Sequence, residues 1–216
     1  MKYKMKKSAF TMMELIFVII VIGILSAVFI PKFGSNNLSQ AANQVISHIR
    51  YTQHLAMMDD KFNPADSTWY KSRWQLLFGQ SSAGTLNTGG YYAYSIFSDA
   101  GTKSGNPDPK EIAKNPLNSS KVLSGGFSNT LDWENTQATE EMNIGYKYGI
   151  DNVTQSGCSA KRISFDHLGR PLKGNSSSWT SSISGVLTTK CTITLHKGTD
   201  SIGIVIEPET GYVHLL

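Results

Sequence analysis

Between Phe10 and Ile30 the chain reads FTMMELIFVIIVIGILSAVFI, a run of 21 residues in which Glu14 is the only formal charge. As a helix this run is about 30 Å long, one hydrocarbon thickness. It predicts a helix buried in lipid. Lys2, Lys4, Lys6 and Lys7 precede it and Lys32 follows it. That asymmetry predicts a cytoplasmic N-terminus, with everything after Lys32 beyond the inner face of the membrane. Glu14 is the odd residue. A carboxylate costs about 2.5–3.5 kcal/mol at the centre of a span and less near an end. Two readings stand side by side: an interfacial Glu14 that snorkels to water, and a carboxylate awaiting a cationic partner.

The pattern of a small residue, Phe10, Thr11, two further residues and Glu14, ahead of an apolar run and behind a lysine-rich leader, resembles the type IV prepilin signal. This signal marks type IV pilins and the pseudopilins of type II secretion. The resemblance implies cleavage between Ala9 and Phe10 by a prepilin peptidase, which then methylates the new Phe10 amine. The residue before the cut is usually Gly in that family; here it is Ala9, also small. The resemblance further implies that Glu14 pairs with the N-terminal amine of a neighbouring subunit during assembly. Two charges that are costly in lipid become tolerable once paired. Gly23 and Pro31 fall where the family carries helix-loosening residues. The competing reading is an ordinary secretory signal. Those have a shorter apolar core, about 7–15 residues, and Leu25-Ser26-Ala27 is a poor cleavage site.

The chain has 216 residues. Without the anchor about 150–185 remain, enough for one domain with its own core. The leader holds four of the 20 basic residues and no acid, which leaves 16 basic against 16 acidic residues in the remainder. Bulk charge therefore offers no argument for nucleic-acid binding. Cys158 and Cys191 are the two cysteines. In an oxidising compartment an even pair favours a disulfide. Its loop of about 33 residues is worth roughly 3–4 kcal/mol in the chain-entropy model.

Leu38, Ala41, Ala42, Val45, Ile46, Ile49, Leu55, Ala56 and Met58 recur at spacings of mostly three and four, which predicts an amphipathic helix. Joined to the apolar run, it predicts one helix from Phe10 to about Met58, roughly 70 Å long. His48 and His54 are six apart on it and read as surface residues. Asn63-Pro64 breaks the helix. Trp69–Phe78 and Tyr91–Phe97 read as strands. Residues 98–120 read as a solvated loop, in which Asp99, Asp108 and Glu111 are carboxylates of the kind calcium takes, at spacings that fit no EF-hand. Lys121–Phe127 reads as a short strand, Ala138–Met142 as a helical turn and part of Asn143–Val153 as another strand. Lys161–Phe165 reads as a strand followed by the turn Asp166–Pro171. Cys191–His196, Ile202–Glu207 and Tyr212–Leu216 alternate and read as an antiparallel meander.

Helices first and strands later predict an α+β fold. With the resemblance this becomes a pilin-like layout: a long N-terminal spine helix whose outer half packs on an antiparallel β-sheet head. The expected division is a leader over 1–9, a transmembrane and assembly helix over 10–31, the outer half of the spine over 32–60 and a periplasmic head over 61–216. The turn FDHLGRP and the ending IGIVIEPETGYV resemble the H-type minor pseudopilins. No G-x-S-x-G, H-E-x-x-H or phosphate loop is present, so neither an enzyme nor a cofactor is indicated. Asp166 and His167 adjoin, but Asp166 and Gly169 read as turn residues. Lys71, Arg73, Lys161, Arg162 and Arg170 beside strand aromatics raise a DNA-binding patch as a minor reading.

These features point to a minor pseudopilin of a type II secretion system, held in the inner membrane before it joins a periplasmic filament. The alternatives are a minor type IV pilin in pilus assembly or DNA uptake and, less favoured, a monomeric anchored enzyme or receptor. The implied partners are other pilin or pseudopilin subunits, the prepilin peptidase/methyltransferase, inner-membrane lipid and the secretion or pilus assembly platform. Nucleic acid is not favoured.

Overall fold

A computed structural model describes residues 11–29, 33–83, 87–128 and 131–216; the side chains of 27–29 and 33–36 are outside that description. Two compact units emerge, Met1–Asn37 and Leu38–Leu216. In the first, helix α1 spans Met12–Phe29. Apolar residues occupy all of its faces, and every described side chain from Thr11 to Ser26 is exposed. Ser26 Oγ returns to the Ile22 carbonyl at 2.8 Å, which keeps its hydroxyl satisfied within the helix.

Helix α2 spans Phe33–Met58, and from Leu38 onward it belongs to the second unit. Leu38, Ala41, Ala42, Val45, Ile46, Ile49, Thr52 and Ala56 form its buried stripe. Two four-stranded antiparallel sheets receive this stripe. The first contains β1 (Trp74–Gly79), β2 (Ala93–Ser98), β6 (Arg162–Phe165) and β7 (Pro171–Leu172), in the order β2-β1-β6-β7. The second contains β5 (Asn152–Ser156), β8 (Cys191–Lys197), β9 (Asp200–Ile206) and β10 (Val213–Leu215), in the order β10-β9-β8-β5. A small hairpin joins β3 (Lys114–Asn115) to β4 (Asn118–Val122). One core cluster runs from the α2 stripe to Leu76 and Phe78 of β1, Tyr94 and Ile96 of β2, Ile193 and Leu195 of β8 and Ile204 and Ile206 of β9.

The first sheet is buried on both faces. Leu76 and Phe78 join the α2 core, while the intervening Leu77 packs with Phe97, Ile112, Val122, Leu131 and Ala138 in a second cluster. A layer formed by the chain after β2 covers this outer face. That is why β2 is buried at all six positions and reads as a continuous apolar run rather than an alternating one. The second sheet alternates along β8, as expected when one face packs and the other does not.

The expected single spine helix is overturned. α1 ends at Phe29 and α2 begins at Phe33, so the described chain has two separate helices ahead of three antiparallel sheets. It is α+β only in the loose sense, sheet-dominated and not built on a pilin-like spine. The sequence holds the physical reason. Pro31, which lies outside the described residues, has no N–H to donate to a carbonyl four residues back.

Local readings change too. Trp69–Ser72 is a 3₁₀ turn rather than strand. The segment 143–153 contains helix α3 (Ile144–Tyr148): Asn143 caps it by accepting the Tyr146 N–H, and Gly149 closes it at φ 75°. Lys121–Phe127 retains only the end of β4, which stops at Val122. The turn at Met142 forms, over Glu140–Met142.

Ile49 is fully buried between helix and sheets. Ile49→Ala is expected to lower stability by about 2–5 kcal/mol. Urea unfolding of the full chain in detergent should show a lower midpoint with an unchanged slope.

Candidate functional site

Thr11 stands at the start of α1. Its N–H donates to Glu14 Oε2 at 3.1 Å and its hydroxyl to the same oxygen at 3.2 Å, while the Glu14 N–H donates to Thr11 Oγ1 at 3.3 Å. This is a capping box, in which the residue at the helix entry and the one three positions on satisfy each other's backbone donors. Glu14 therefore already has a task inside its own helix: it occupies the positive end of the helix dipole and closes the first turn. The sequence signal for it is Thr-x-x-Glu ahead of an apolar run.

Beyond Glu14, α1 exposes twelve large apolar side chains, from Val21 at 39% to Met13 at 83%. Gly23 meets nothing within 4 Å of where a Cβ would sit, so no packing contact among the described residues requires glycine there. Ala9, Phe10 and Pro31 lie outside the described residues. Among the described residues no helix is long and apolar enough to cross a membrane; the Phe10–Ile30 run has both its ends outside them.

In the second unit, Cys158 and Cys191 form a disulfide with Cα atoms 5.1 Å apart. It ties the chain just beyond β5 to the start of β8. The turn after β6 is built by Asp166, whose Oδ1 accepts from the Leu168 and Arg170 amides at 3.0 and 2.9 Å while Oδ2 accepts from Arg170 Nε at 2.8 Å. Gly169 sits in it at φ 79°. His167 is exposed, so the pair Asp166-His167 is a turn and a surface residue.

The carboxylates of the 98–120 loop turn onto backbone. Asp99 Oδ2 accepts from the Gly105 N–H at 2.6 Å, and Glu111 Oε1 from the Gly101 N–H at 2.6 Å. Asp108 Oδ2 accepts from the Thr102 hydroxyl at 3.2 Å. Among the described residues no His, Cys, Asp or Glu group converges to hold a metal. The segment is not a solvated loop throughout, since Ile112 bridges to Phe97 and β3 lies within it. Asp99 is fully buried and its Oδ1 has no partner among the described residues. Burial pushes its carboxyl up to about 6, against the opposing pull of the Gly105 N–H.

Each of the five basic residues is engaged within the second unit. Lys71 Nζ donates to the Ser177 carbonyl at 2.8 Å. Arg73 is buried, with its guanidinium 5.3 Å from the Trp69 ring. Lys161 lies 4.7 Å over the Tyr92 ring and donates to its hydroxyl at 3.0 Å. Arg162 is buried and donates to Gln75 Oε1 at 2.7 Å and to the Gly105 carbonyl. Arg170 is spent on Asp166.

His48 is not the surface residue that its spacing from His54 implied. Its Nδ1 is 2.7 Å from the Tyr94 hydroxyl, which also accepts from Gln44 Nε2 at 2.8 Å. The buried hydroxyl proton is satisfied by donation to Nδ1, which leaves the imidazole proton on Nε2. Burial pushes this histidine down to about 4, offset in part by Glu141, so it is neutral at physiological pH. Gln44 Oε1 accepts from the Tyr148 hydroxyl at 2.7 Å, which extends the network from α2 to α3. The two hydrogen-bonded rings put nothing on the helix surface that spacing alone would reveal.

Protein-family models, curated proteins and solved structures were compared with this chain, and none matches.

The Asp99 carboxyl is raised from 3.8 to about 6. Between those values the folded chain holds a proton that the unfolded chain has released, so this group's contribution to stability falls as pH rises. The full effect is on the order of 3 kcal/mol. Unfolding curves of wild type and Asp99→Asn between pH 4 and 7 should diverge in slope: wild type loses stability relative to the variant as pH rises toward 6.

Proposed function

We propose that this chain is a structural subunit of a bacterial envelope filament, most like an H-type minor pseudopilin of type II secretion, held in the inner membrane by its N-terminal segment before assembly. The observation that carries the reading is α1: a helix apolar on every face, with every described side chain exposed and a single carboxylate in its first turn. A helix hydrophobic all round is stable only when lipid or other helices cover it. The lysine-rich leader and the Ala9-Phe10-Thr11 sequence ahead of it supply the processing signal. In this reading Phe10 becomes the methylated N-terminus, and the Glu14 carboxylate meets the amine of a neighbouring subunit.

The capping box gives that step a physical shape. An incoming ammonium takes up a carboxylate already aimed at the helix entry, so Glu14 is presented rather than free to search. The chain performs no catalytic step of its own in this reading. Its partners are other filament subunits, the peptidase/methyltransferase, lipid and the assembly platform. The minor type IV pilin in DNA uptake is the weaker reading, because the basic residues that would hold DNA are engaged within the head.

Mass spectrometry of the N-terminus, on membranes from cells with and without a prepilin peptidase, tests the reading. The expected product begins at methylated Phe10 and disappears without the peptidase. A chain that begins after Ala27, or keeps Met1 in the presence of the peptidase, would sink it. Glu14→Ala is expected to leave cleavage intact while filament incorporation fails, read by cross-linking to other subunits.

A further inference from the structure

Tyr91, Trp133 and Tyr146 form an aromatic trio on the second unit. Ring centroids are 6.0 Å apart for Tyr91 and Trp133, 5.6 Å for Tyr91 and Tyr146 and 5.0 Å for Trp133 and Tyr146. Tyr91 and Tyr146 are 41% and 50% exposed, and Trp133 is half-buried. Backbone geometry makes room for the indole. A Cβ on Gly89 would lie 2.8 Å from Trp133 ring atoms, and one on Gly126 would lie 2.5 Å from the Trp133 backbone; both glycines have positive φ. Asn143 caps α3, which carries Tyr146.

Trp133 and Tyr146 line a cavity of about 450 Å³, within the range of small-ligand sites. Their ring planes meet at 56°, with Tyr91 packed against both. The rest of the lining is polar: Lys121, Glu134, Asn135, Thr136 and Glu140, with Ala138. Glu140 pairs with Lys147 at 2.9 Å. Among the described residues the side chains of Lys121, Glu134 and Thr136 have no hydrogen-bond partner. The site thus combines two aromatic side chains, donors and acceptors with no partner among the described residues, and lining charges that sum to zero once Lys147 is included.

We propose that this cavity binds a neutral saccharide. A pyranose ring presents apolar C–H faces that stack on aromatic rings, and a girdle of hydroxyls that both donate and accept. Trp133 and Tyr146 match the faces; Lys121 offers donors, Glu134 acceptors and Thr136 both. A quaternary ammonium would also seek aromatic rings. The cationic Lys121 in the lining and the pairing of Glu140 with Lys147 disfavour it. The site lies wholly in the second unit and does not depend on the filament reading.

The test uses the full-length chain in a zwitterionic detergent without a sugar headgroup. Saturation-transfer NMR and tryptophan fluorescence would be followed during titration with the trimers of glucose, N-acetylglucosamine and galactose, and with choline. The expected result is saturable binding of at least one trimer, weakened about tenfold in Tyr146→Ala and restored in Tyr146→Phe. Choline should neither bind nor displace it. Glu134→Gln, on an exposed residue, keeps the test open if an aromatic variant misfolds and should change the preference among trimers. The proposal is overturned if no trimer binds, if Tyr146→Ala binds as wild type does, or if choline displaces the sugar.

Discussion

The second unit depends on one helical stripe. Small Ala41 and Ala42 let α2 approach the sheets closely, and Val45, Ile46 and Ile49 fill the space between the helix and two separate antiparallel layers. Each sheet has an apolar face that needs cover, and the same helix supplies it to both. Polar contacts fix the register of that docking. Arg50 donates to the Val213 carbonyl at 2.7 Å, and Gln53 Nε2 donates to the Gly169 and Thr210 carbonyls at 2.8 and 2.9 Å. Gln53 thus holds the turn after β6 of one sheet and the turn before β10 of the other. Gly211 leaves it room, since a Cβ there would lie 2.6 Å from Gln53 Nε2.

Once α2 covers one face of the first sheet, the opposite face still needs a lid. The chain between β2 and α3 provides it through Ile112, Val122, Leu131 and Ala138. Covering the sheet twice buries polar groups that its strands carry. The Arg162 guanidinium donates to Gln75 Oε1 at 2.7 Å and also holds the Gly105 carbonyl of the lid. Asp99 holds the Gly105 amide from the other side. The elevated Asp99 carboxyl is the electrostatic cost of this lid. The same lid runs on to Trp133, so the aromatic cavity stands on backbone that the second core cluster positions.

The first unit poses the opposite problem. Among the described residues nothing covers the apolar surface of α1, and its one carboxylate is turned onto its own N-terminus. A capping box on a helix of this composition keeps the entry turn formed in whatever surroundings finally cover the apolar faces.

Periodicity made some of this legible. The α2 stripe, the meander of β8, β9 and β10, the Asp166 turn and the cysteine pair all follow from spacing or composition, because each is set by residues near in sequence or by simple chemistry. Other features were visible and not drawn out: Thr11 and Glu14 spell a capping box, and Asn143 and Gly149 bracket a short helix ahead of the strand expected within 143–153, which begins at Asn152 as β5. The break between α1 and α2 overrode a continuous apolar period, since a proline lacking its N–H outweighs periodicity. His48, Asp99, Arg162 and the Tyr91–Trp133–Tyr146 trio were beyond reach. By itself the sequence determined an apolar N-terminal segment with one carboxylate, an amphipathic helix and a run of antiparallel strands. Only the tertiary structure decided that the first sheet is covered on both faces, which charges are buried and which aromatics meet. Those outcomes depend on contacts between residues tens of positions apart, and local pattern carries no record of them.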